Sequence, residues 1–188
     1  MTDRGPIQLS VNGERHTIES VPPDRVLAGY LRGDIGATDV KLPCEEGACG
    51  ACAVLLDGRP ILSCLTPLHR VAGRQVETAS YLSNDELGQA LLAAFVRHGA
   101  LQCGYCTPGW FVAAHGLLSL ERVGHQPLRE WLENSLVGHL CRCTGYRSIL
   151  DAIEEVAVGR FDAWMQPIGS GNNAVSTGSA DTDVATSA

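Results

Sequence analysis

Apolar residues alternate with polar ones near the start of the chain and recur with helical spacing farther on. From Pro6 to Val21, Ile7, Leu9 and Val11 alternate, Asn12-Gly13 supplies a tight turn and Glu14 to Ser20 returns, which predicts a hairpin. Pro22-Pro23 stops the strand. Asp24 then suits the cap of a short helix whose buried side is Val26, Leu27, Tyr30 and Leu31, closed by Gly33 and Gly36. Ala53 to Leu56 and Pro60 to Leu62 read as a second hairpin across Asp57-Gly58, and Arg74 to Thr78 as a last strand.

Helical spacing takes over at Ser83. Ser83 and Glu86 have capping-box spacing, and Leu87, Ala90, Leu91, Ala94 and Phe95 form one stripe ending at His98-Gly99. Thr107 suits an N-cap and Pro108 a first helical position for a helix through Leu120. A third helix is expected from Pro127 to Val137, with Leu128, Trp131, Leu132 and Leu136 on its apolar face and Gly138 closing it. A fourth carries Tyr146, Ile149, Leu150, Ile153, Val156 and Ala157, and Phe161 and Trp164 are expected to pack back onto the others. The fold class is therefore α+β. Residues 1–80 form a β-rich domain and 81–165 a four-helix bundle, while 166–188, rich in Gly, Ser, Thr, Asn and Asp, form a flexible tail.

A hydrophobic content of 45% suffices for real cores. The net charge of −7, with no block of Lys or Arg, argues against nucleic acid or an anionic membrane surface as partner. No apolar run is long enough to predict a membrane span. The opening residues, MTDRGP, lack a basic n-region and an apolar h-region. The eight cysteines are thus expected in a reducing compartment, as ligands rather than disulfides.

Their spacing is specific. Cys44, four residues, Cys49, two residues, Cys52, then eleven residues to Cys64 is the plant-type 2Fe-2S pattern. Gly47, Ala48, Gly50 and Ala51 let backbone N–H groups approach the sulfurs, and their donation offsets cluster charge. A structural zinc suits three thiolates on one loop less well. The second set, Cys103 and Cys106 then Cys141 and Cys143, places each cysteine pair just before a helix start. Two helix N-termini aimed at one site favour an anionic four-thiolate cluster, although by spacing alone this set also suits zinc. His139 stands near Cys141, but there is no paired Cys-His motif of Rieske type. His115, Trp110, Trp131 and Trp164 read as packing or interface residues, and no acid/base pair stands out.

The element order before Thr78 is that of the β-grasp ferredoxins. The stretches Cys44-Glu45-Glu46-Gly47-Ala48-Cys49-Gly50-Ala51-Cys52, Gln102-Cys103-Gly104-Tyr105-Cys106-Thr107-Pro108-Gly109 and Cys141-Arg142-Cys143-Thr144-Gly145-Tyr146 resemble the small iron–sulfur subunit of the molybdenum hydroxylases. That family contains xanthine dehydrogenase, aldehyde oxidoreductase and aerobic carbon monoxide dehydrogenase, and the resemblance runs from Pro6 to Gly159. It implies two 2Fe-2S clusters, one in a β-grasp ferredoxin-like domain and one in a four-helix-bundle domain. It further implies a molybdopterin centre on a large subunit, FAD on a medium subunit, and a dimer of heterotrimers located in the cytoplasm or exported with a partner that carries the signal. Electrons would pass from molybdenum through the Cys103/Cys106/Cys141/Cys143 cluster and the Cys44/Cys49/Cys52/Cys64 cluster to FAD or another acceptor. Substrate choice would lie on the large subunit. Gln102 would contact the pterin by the same resemblance. The rival readings are a free diffusible ferredoxin and a zinc-binding structural module. Pro43 and Ala53 depart from the family pattern, which commonly has glycine and a hydroxyl residue there; Pro43 removes one N–H near the first set and stiffens its loop.

Overall fold

The computed structural model describes residues 5–120 and 128–165, with the side chains from 160 onward excepted. Strands β1 (Ile7–Val11) and β2 (Glu14–Ile18) pair antiparallel in the first expected hairpin. Asn12 and Gly13 both have positive φ, 53° and 85°, the conformation that a two-residue hairpin turn demands. Strands β3 (Ala53–Leu56) and β4 (Arg59–Leu62) form the second hairpin, turning on Asp57-Gly58, and β5 (Gln75–Glu77) completes the sheet. The strand order is β2-β1-β5-β3-β4, with β5 parallel to β1 and antiparallel to β3. Helix α1 (Leu27–Gly33) buries Leu27 and Leu31 in one core with Leu9, Val11, Val54, Leu56 and Val76. A single 3-10 turn, Leu68–Val71, joins β4 to β5.

The cap of α1 departs from expectation. The cap position is Val26, and no side chain bonds there, so Asp24 does not serve. The free N–H groups of Leu27 and Ala28 instead donate to the carbonyls of Thr66 and Ser63, at 2.8 and 3.1 Å. Backbone carbonyls brought by the tertiary fold satisfy the donors that a side chain was expected to meet. The segment bearing Cys64 is thereby pinned to the helix.

Five helices follow among the described residues: α2 (Ala79–Leu82), α3 (Glu86–Arg97), α4 (Thr107–Leu120), α5 (Leu128–Ser135) and α6 (Arg147–Met165). Helix α3 is capped by Asp85, whose Oδ1 accepts from Gly88 N at 2.7 Å; Ser83 Oγ donates to Ser80 O and caps nothing. The helices enclose a core of Leu91, Phe95, Phe111, Leu118, Leu132, Ile149 and Ile153. The expected start at Pro127, the packing of Phe161 and Trp164, and the tail 166–188 lie outside the described residues. Among the described residues no helix is long and apolar enough to cross a membrane.

Strand β3 belongs to both cores. Val54 and Leu56 face α1, while Ala53 and Leu55 join the helical core. Helix α4 reaches the sheet because its contacting residues are small. A Cβ at Gly116 would lie 2.4 Å from Pro60 Cγ, and one at Gly109 would lie 2.5 Å from Gly50 O. Ala113, between them, is buried in the same core. Backbone-to-backbone approach at Gly109 brings the start of α4 directly against the loop of the first cysteine set.

Candidate metal centres

The first set sits on a loop folded back on itself before β3. Glu45, Gly47 and Gly50 take positive φ of 56°, 77° and 71°, the left-handed backbone that tight turns use. Gly47 is also a close approach, since a Cβ there would meet Leu65 Cδ1 at 2.3 Å. The sulfurs of Cys44 and Cys49 are 3.1 Å apart. Cys52 precedes β3 and Cys64 follows β4, so the antiparallel pairing of the hairpin delivers both ends to one place. Ser63, fully buried, ties them by donating from Oγ to Cys52 O at 2.7 Å. Cys52 and Cys64 are buried with their thiols beside each other, whereas Cys44 and Cys49 are half-buried.

Backbone donors surround these sulfurs. The N–H of Glu46, the Cys49 thiol and the N–H groups of Ala48 and Cys49 bring the Cys44 thiol down to about 7. Burial, with the Cys52 thiol beside it, pushes Cys64 up to about 12, even though the Gly47 N–H acts in the opposite sense. Burial also raises Cys49.

The second set draws on two loops, each leading into a helix. Cys103 and Cys106 precede α4, and Cys141 and Cys143 precede α6. The Cys103 and Cys143 sulfurs are 3.5 Å apart and exposed; Cys141 is buried, with its thiol beside that of the half-buried Cys106. Burial pushes Cys106 up to about 12. Burial would raise Cys141 too, but Thr144, donating from Oγ1 at 3.1 Å and from N at 3.5 Å, and the Cys143 N–H bring it below the ordinary thiol range. Gln102 is exposed next to Cys103.

All eight cysteines are free thiols. Among the described residues no three or more His, Cys, Asp or Glu side chains gather closely enough to hold a single metal ion. The thiols come together in twos: Cys44 with Cys49, Cys52 with Cys64, Cys103 with Cys143, Cys106 with Cys141. In each set one pair is buried more deeply than the other. A two-iron cluster takes two protein ligands on each iron, so this donor set, with its amide donors, fits such a group.

Periodicity and spacing gave no sign of what lies between the sets. The Leu140 N–H donates to Cys49 O at 2.9 Å, so the backbone one residue before Cys141 is bonded to a residue of the first set. His139 covers Gly50, packs against Trp110 with the rings tilted by 54° and 5.6 Å between centroids, and has its basicity lowered by burial. Trp110 in turn meets the ring of Tyr146, at 6.0 Å. The approach is made possible by small residues at Gly50, Ala51 and Gly109.

Comparison with known proteins finds two family matches. Residues 9–83 match the family described as 2Fe-2S iron-sulfur cluster binding domain, and residues 78–154 the family described as [2Fe-2S] binding domain. The nicotine 6-hydroxylase small subunit of Paenarthrobacter nicotinovorans is 43% identical over 152 residues, which cover 81% of this chain and 89% of that one. The aldehyde oxidoreductase of Megalodesulfovibrio gigas is 38% identical over 79% of this chain, a match that takes in 16% of the larger protein. Among solved structures, quinoline 2-oxidoreductase from Pseudomonas putida 86 superposes with a TM-score of 0.74 at 38% identity, over 88% of this chain and 99% of the matched one.

Proposed function

Because this chain belongs to the small iron–sulfur subunits of the molybdenum hydroxylases, we propose that it relays single electrons from a molybdopterin centre on a large partner subunit to FAD on a medium one. Cys103, Cys106, Cys141 and Cys143 hold the 2Fe-2S cluster nearer molybdenum, and Cys44, Cys49, Cys52 and Cys64 hold the one nearer FAD. Residues 1–80 form the ferredoxin-like domain and 81–165 the helical, four-helix-bundle domain. When bound, the clusters supply reversible one-electron storage. The polypeptide holds the ligands in pairs, directs amide donors at the sulfurs and keeps Cys52, Cys64 and Cys141 out of solvent.

The observation that carries this reading is the Leu140–Cys49 hydrogen bond, which joins the two ligand loops directly. The exposed edge at Cys103 and Cys143, with Gln102 beside it, supports a face covered by the molybdopterin-bearing subunit, with Gln102 reaching the pterin. The relative named as a small subunit supports assembly with larger ones; the proposed assembly is a dimer of heterotrimers.

Low-temperature EPR of the dithionite-reduced protein, purified with its accompanying subunits and analysed for iron and zinc, tests the proposal. Two distinct 2Fe-2S signals are expected. One signal with stoichiometric zinc would make the helical half a structural module, and absence of iron would overturn the reading.

A further inference from the structure

His139 occupies the gap between the two cysteine sets, and no ligand role uses it. Its ring fills the space that Gly50 leaves empty: a Cβ at Gly50 would lie 2.5 Å from His139 Cδ2 and 2.8 Å from its Cγ. Trp110 backs the ring from the side of α4, at 5.6 Å between centroids. Both its Nδ1, at 3.3 Å, and its backbone N–H, at 3.4 Å, meet the Leu136 carbonyl at the end of the α5 segment. Facing a carbonyl, Nδ1 carries the ring proton, and the side chain works as a C-cap. The next residue is Leu140, whose amide bonds Cys49 O, and the one after is Cys141.

A ring that only filled space would need no hydrogen bond. Here the donor closes the turn 136–139, so the peptide linking His139 to Leu140 is fixed by side chain and backbone together. We propose that His139 is a positioning residue for electron exchange between the two cysteine sets: wedged between Gly50 and Trp110 and tied to Leu136 O, it holds the Leu140 amide on the Cys49 carbonyl. The inference rests on the two-cluster reading above.

The test compares wild type, His139→Ala and His139→Asn, each as the full chain with its accompanying subunits. Asn keeps a planar side chain whose amide can donate to Leu136 O. Iron content and the separate EPR signal of each cluster report on the two-cluster reading. The mutual broadening or splitting of those signals when both clusters are reduced, and the rate of electron equilibration between them, report on His139. The Ala variant is expected to keep its iron and both signals, lose the mutual interaction and equilibrate more slowly; Asn is expected to restore both. Wild-type interaction and rate in the Ala variant would overturn the proposal, and so would an Asn variant no better than Ala. Should Ala lose its iron, the Asn variant decides: wild-type coupling supports the role and weakened coupling overturns it. A wild-type protein without two cluster signals would defeat the two-cluster reading itself, whatever His139 does.

Discussion

The Leu140 amide and the Cys49 carbonyl, 2.9 Å apart, bond the two cysteine loops backbone to backbone. Loss of a ligand side chain therefore leaves the tie intact. Cys103→Ala or Cys143→Ala is expected to remove about half of the iron and one EPR signal while the first cluster's signal remains. Turnover with the physiological acceptor should stop; full activity in either variant would remove these cysteines from the relay.

Gly109→Ala has an expected sign that separates two effects. Helix propensity alone would stabilise α4 by up to about 1 kcal/mol. The new Cβ would stand 2.5 Å from Gly50 O and 2.8 Å from Ala51 Cα, backbone atoms that have no rotamer to change. Overpacking of this kind costs about 1–3 kcal/mol, so a net loss is expected. A urea midpoint higher than wild type would show that α4 can shift off the first loop at little cost.

The thiols of the cluster-free protein should differ in reactivity. The Cys44 pKa is lowered, with the Glu46 N–H as the largest cause, from 9.0 to about 7. The stabilisation from its thiolate is thus full above 9.0 and is lost as pH falls through about 7. Cys64 and Cys106, pushed up to about 12 by burial, remain thiols across that window. Iodoacetamide at about pH 8 is expected to label Cys44 well before those two, because the thiolate is the nucleophile. Equal labelling by peptide mass spectrometry would contradict the environment described for Cys44.

Pro43→Gly restores one N–H close to Cys44 and loosens the loop. A redox titration should show a shifted midpoint for the first cluster, with iron content unchanged. Identical midpoints would mean that position 43 does not tune it.

Much of this architecture was legible in the sequence because it is local. Asn12-Gly13 and Asp57-Gly58 carry their turn geometry in two residues, and the cysteine spacings carry their own loop lengths. What was not legible depends on partners distant in the chain. Val26 needs no capping side chain because carbonyls from Ser63 and Thr66 arrive in its place. The short helix α2 is anchored by Asp39, which accepts from both N and Oγ of Ser80 at 2.8 Å. Asp85 rather than Ser83 caps α3: Ser83 Oγ is engaged by Ser80 O, while Asp85 also bonds the buried His115 at 2.8 Å. Periodicity marks His139 and Gly109 as ordinary, since a close approach between chain segments leaves no repeat to detect.

Strand β3, with Val54 and Leu56 in one core and Ala53 and Leu55 in the other, is shared by the two halves. Cutting the chain near Thr78 would strip one face of that strand and expose Ala53 and Leu55 to water. The excised ferredoxin-like half is expected to be less stable than the same half within the full chain, read as a lower urea midpoint. Its amides in β3 should exchange with solvent only when both halves open together.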